Sequence, residues 1–192
     1  MPITLTQVSK TARSELVLIS LGIISIILFA FTIYSFVKAP GEENASQNQV
    51  AYKNTLLPGT STKDEVVSSL GNPKEIKTEG GKETYLYSST NQYRSHEVQF
   101  SQDTTSLVKE QIIGSEKGKL PDFIEKYGQP QAIIYGSHGT IAPGHFWGDK
   151  GLMLFANVND GRLIEIWYFP PQSLANFLKT YPNFDTKEPS QF

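Results

Sequence analysis

The chain has no cysteine. That excludes disulfides, thiolate metal sites, a cysteine nucleophile and a lipid carried on an N-terminal cysteine. It also lacks a basic excess: 17 Lys and Arg stand against 19 Asp and Glu, a formal net charge of −2. No positive field is present to attract nucleic acid, so none is expected as a partner. Charges of one sign never form a block, and acidic tails, basic arms and low-complexity runs are missing. At 192 residues the chain has room for one modest core beyond its N-terminal region.

One long stretch lacks charge altogether. Leu16 to Val37 runs for 22 residues without Asp, Glu, Lys or Arg. As a helix it would extend roughly 33 Å, enough for a hydrocarbon core of about 30 Å. It is too long for the apolar core of a signal peptide, and Phe31, Tyr34 and Phe36 occupy the place of a cleavage site. The expectation is a single-pass transmembrane helix over 16–37 with the membrane as a partner. Lys10 and Arg13 precede it, which favours a cytoplasmic tail over 1–15 and an extracytoplasmic C-terminal domain. Residues 38–51, rich in Pro, Gly, Ser, Asn and Gln, read as a flexible linker.

The remainder carries an internal repeat. Val66, Val67 and Leu70 correspond to Phe123, Ile124 and Tyr127 at a displacement of 57. Each triplet marks one face of a short helix. Each helix is followed by a glycine, Gly71 or Gly128, and then by Pro73 or Pro130, a stop signal. Thr62 with Glu65 has the spacing of a capping box. Asp64, Glu65 and Asp122 then sit at helix N-termini, where carboxylates favour the dipole. Strands are expected at 74–78, 83–88, 96–101 and 107–113, and again at 131–135, 144–147, 152–157 and 162–169. Asn159-Asp160-Gly161 makes the last hairpin. The reading is α+β: a transmembrane helix, then two helix-plus-antiparallel-meander repeats over 52–114 and 115–181. A terminal helix falls within 172–181, and a tail follows over 182–192.

Tyr85-Leu86-Tyr87 corresponds to His145-Phe146-Trp147, which gives one sheet face an aromatic character. That face is either the core under the helices or, in part, a protein-binding surface. Tyr85, Tyr87, His145 and Trp147 are the candidate contacts, whereas Trp167, inside a well-patterned strand, is assigned to the core.

The run Pro58-Gly59-Thr60-Ser61-Thr62-Lys63-Asp64-Glu65-Val66, then Leu70-Gly71-Asn72-Pro73, Tyr85-Leu86-Tyr87 and Val98-Gln99-Phe100, resembles the SmpA/OmlA (BamE-like) family. In tandem the unit is similar in architecture to the β-lactamase inhibitor protein. The resemblance implies a non-enzymatic protein-binding module.

Catalytic constellations are absent from the pattern. His138, His145 and Asp149 share one glycine-rich stretch, but nothing in their spacing makes them converge, so neither a metal nor a cofactor is expected. Ser137-His138 has no nucleophile elbow, and the local glycines lack the Lys-Ser/Thr of a phosphate loop. The leading expectation is a membrane-tethered extracytoplasmic binding or scaffold module for another envelope protein, without a small-molecule substrate. An inhibitor or accessory subunit of an envelope hydrolase is the alternative. An enzyme with its site around His138 to Asp149 is a third.

Overall fold

A computed structural model describes residues 48–114 and 116–189. The order of elements is α1 (Lys63–Leu70), β1 (Glu75–Glu79), β2 (Lys82–Tyr87), β3 (His96–Ser101), β4 (Thr104–Gln111), α2 (Leu120–Tyr127), β5 (Ala132–Ile134), β6 (Gly144–Trp147), a 3-10 turn (Gly148–Lys150), β7 (Leu152–Ala156), β8 (Leu163–Tyr168) and α3 (Leu174–Thr180).

The helix boundaries follow from local chemistry. Thr62 N–H donates to Glu65 Oε2 at 2.8 Å, and Thr62 Oγ1 accepts from Glu65 N–H, which closes the capping box of α1. At α2 the Lys119 N–H donates to Asp122 Oδ2 at 2.8 Å. Gly71 has φ 82° and ψ −171°, and Gly128 has φ 81° and ψ −177°. This is not the left-handed helical conformation but a region that only glycine occupies without strain. Apart from the flanking residues, no atom of the described chain lies within 4 Å of where a Cβ would stand at either position, so the backbone alone demands glycine. Gly71→Val or Gly128→Val should therefore lose about 1–3 kcal/mol of stability in denaturant unfolding. Unchanged midpoints in both variants would remove the cap assignment.

The strands pair into one antiparallel sheet in the order β1-β2-β3-β4-β8-β7-β6-β5. The centre is the β4–β8 pairing, with Val108 opposite Tyr168 and Lys109 opposite Trp167. This corrects the expectation of two helix-plus-meander repeats. Each strand set ends on a strand whose outer edge carries unpaired N–H and C=O groups, and joining β4 to β8 satisfies both. The cores merge as well. Val66, Val98 and Val108 from the first half share one cluster with Trp147, Leu154 and Tyr168 from the second. The described residues belong to one compact unit.

No helix among the described residues is long and apolar enough to cross a membrane. The anchor expected at Leu16–Val37 lies outside the described residues. The described residues thus form one eight-stranded sheet with three α-helices rather than two separate helix-plus-meander repeats.

α1 and α2 pack on one face of the sheet through Val66, Leu70, Phe123, Ile124 and Tyr127. The segment before α1 joins them. Tyr52 and Leu56 are buried there, and Val50 N–H donates to the Lys150 carbonyl at 3.0 Å. α3 packs on the opposite face against Phe146, Trp167 and Phe169.

Candidate functional site

The candidate contact residues fall on the helix-covered face. Trp147 is 1 % exposed, and its Nε1–H donates to the Gly128 carbonyl at 2.9 Å. Tyr87 and His145 are also buried. Tyr85 is half-buried, with its ring edge-on to Phe100 at 4.7 Å between centroids. The free binding surface read from Tyr85, Tyr87, His145 and Trp147 is thereby corrected: these rings fill the layer between helices and sheet. Trp167 projects to the other face, buried against Phe155, Tyr181 and Phe184.

That other face is only partly covered. α3 and Phe184 pack over the half built from β6, β7 and β8. On the β1–β4 half, alternation turns Glu75, Lys77, Glu97, Gln99 and Lys109 outward, because their in-strand neighbours such as Val98 and Val108 supply the core. The result is an open groove of about 720 Å³, closed at one end by Tyr93–Ser95 and Ser137. Four acidic and four basic side chains line it, so its field is neutral overall but alternates locally. Lys109 Nζ lies 2.9 Å from Glu97 and 5.1 Å from the centre of the Trp167 ring. Tyr93 stands at the rim, 86 % exposed.

At the floor, near the β4–β8 seam, sits a buried carboxylate. Glu165 Oε2 is 2.9 Å from His138 Nε2, and its Oε1 accepts from Trp167 Nε1–H at 2.8 Å. Arg94 approaches the same carboxylate at 4.0 Å. Burial pushes the Glu165 carboxyl up, but the hydrogen bonds from His138 and Trp167 outweigh it and hold the group below the usual carboxylate value. Beside it, Gln111 is buried with its Oε1 unpartnered.

The glycine-rich stretch does not gather its polar residues. His138 reaches Glu165 across the second face, His145 is turned to the first, and Asp149 is exposed beside Lys150 at 3.1 Å. Among the described residues no group of three His, Cys, Asp or Glu side chains is placed to hold a metal ion. What the sequence reading missed is the His138–Glu165 pair. One signal for it was present: a glutamate within the otherwise apolar run Leu163-Ile164-Glu165-Ile166-Trp167.

No family model matches the chain, and no curated protein matches it. Three solved structures are similar in fold. A DUF4309 family protein from Bacillus subtilis is 11% identical, covers 67% of this chain and 92% of its own, and has a TM-score of 0.46. A cysteine-rich secretory protein from Staphylococcus aureus is 8% identical, covers 76% of this chain and 54% of its own, and has a TM-score of 0.46. An extracellular protein containing an SCP domain, from Bacillus anthracis, is 11% identical, covers 74% of this chain and 52% of its own, and has a TM-score of 0.44. The two expected units are fused into one eight-stranded sheet and no family model matches, so the SmpA/OmlA resemblance does not hold for this chain.

Proposed function

We propose that this domain is an extracytoplasmic, non-enzymatic protein-binding module that holds an envelope protein against the open half of its sheet. The supporting observation is the groove over β1–β4, a sheet face that no helix among the described residues covers. Its lysines and glutamates interleave, so it complements a polypeptide surface of mixed charge rather than a uniformly charged polymer. Tyr93 at the rim and Arg94 beside the buried carboxylate are residue types that carry binding energy at protein interfaces. On the helix-covered face the aromatic side chains are consumed by packing.

The test is an affinity capture from envelope extract with the wild-type chain and with Tyr93→Ala and Arg94→Glu variants. A partner held by the wild type should be lost from both variants while their melting temperatures stay unchanged. A partner held equally by all three would place the contact elsewhere and overturn this reading.

A further inference from the structure

A second cavity, separate from the groove, lies at the C-terminal end of α1 on the helix-covered side. It measures about 420 Å³ and is lined by Lys53, Asn72, Lys74, Tyr87, Ser88 and His96, with Tyr52 and Leu70 completing its walls. Two lysines and no carboxylate contribute to it. The nearby Glu110 is already engaged by Tyr168 Oη–H at 2.9 Å and Lys117 Nζ at 3.1 Å. The C-terminus of α1 adds about half a negative charge, which two ammonium groups exceed.

The neutral groups at this cavity are donors. His96 Nδ1 accepts the Gln111 backbone N–H at 3.0 Å, so the neutral ring carries its proton on Nε2. Tyr87 is buried and its hydroxyl has no partner among the described residues, a costly state for an O–H in a protein interior. Lys53 is held by an unfavourable backbone. Leu56 N–H donates to the Tyr52 carbonyl at 3.0 Å across a turn in which Lys53 has φ 49° and Asn54 has φ 64°. Two successive positive φ values suit Asn or Gly, and a lysine at the first position is strained. Its ammonium stands 5.6 Å from the centre of the Tyr52 ring, which forms part of the cavity wall.

We infer that this cavity binds a phosphate group, either free or as a monoester. Two ammonium groups match the two negative charges, and the Tyr87 and His96 donors supply neutral hydrogen bonds. The inference stands independently of the groove.

The chain has three histidines, so proton NMR can follow each imidazole. The full chain is titrated with inorganic phosphate at mildly alkaline pH, against chloride of equal ionic strength. The His96 signal should move saturably while those of His138 and His145 stay in place. Lys53→Asn preserves the turn and should weaken binding by about tenfold, and Tyr87→Phe, which removes only the hydroxyl, should weaken it several-fold. Glycerol phosphate is the second arm: tighter binding than inorganic phosphate supports a monoester ligand, and weaker binding supports free phosphate. Equal displacement by chloride, acetate binding as tightly as phosphate, or Lys53→Asn binding like the wild type would each overturn the inference.

Discussion

Replacing Trp147 with alanine should cost about 3–5 kcal/mol of folding stability, measured by denaturant unfolding. The indole is almost fully buried among residues of both halves of the sheet, so its loss opens a cavity that rigid strands cannot refill. The substitution also strips the Gly128 carbonyl, at the end of α2, of the hydrogen bond donated by the indole N–H. Trp147→Phe keeps most of the volume and loses only the N–H, and it should fall well short of the alanine effect. A stability loss under about 1 kcal/mol for Trp147→Ala would mean that the indole is not core.

The second large effect is expected at Glu165. Glu165→Ala removes the acceptor of Trp167 Nε1–H and the partner of His138 in one step. Leaving buried donors without their acceptor costs about 1–3 kcal/mol for each. Glu165→Gln retains an acceptor oxygen and should cost less. The pH dependence separates charge from shape. Because the folded carboxyl lies below its ordinary value, its contribution is fully present above the unfolded value and is lost as pH falls through the folded one. The stability gap between wild type and Glu165→Gln should therefore be widest near neutrality and should narrow on acidification. A gap that does not change with pH would mean that the charge contributes nothing.

Local signals were legible wherever neighbours in sequence settle the structure. Thr62 with Glu65, Gly71 and Gly128 bound the first two helices where capping chemistry placed them. His96–Ser101 and Gly144–Trp147 form strands over the expected residues. β4 starts three residues earlier than alternation suggested, at Thr104, because Asp103 and the positive-φ Gln102 make a tight turn after Ser101. What the sequence did not disclose is how the halves join. Val108 and Tyr168 are each compatible with a free edge, and only their mutual pairing makes one sheet of two.

Trp147 was misread for a different reason. In the sequence it reads as a contact, yet a Cβ at neighbouring Gly148 would collide with the Gln172 carbonyl oxygen, and one at Gly151 with that of Phe169. Those glycines mark close backbone approach, so the residue beside them is packed rather than presented. The groove, for its part, arises where α3 stops covering the sheet, which depends on where a helix docks and not on any motif.

The chain has two tryptophans, and both are buried. Acrylamide quenching of single-tryptophan variants, Trp147→Phe and Trp167→Phe, tests this most directly. Each remaining indole should emit at short wavelength and resist quenching until the chain unfolds, which leaves the charged half-face as the surface open to a partner. A Trp147 signal quenched freely in the folded protein would contradict the account and return the contact surface to the aromatic face.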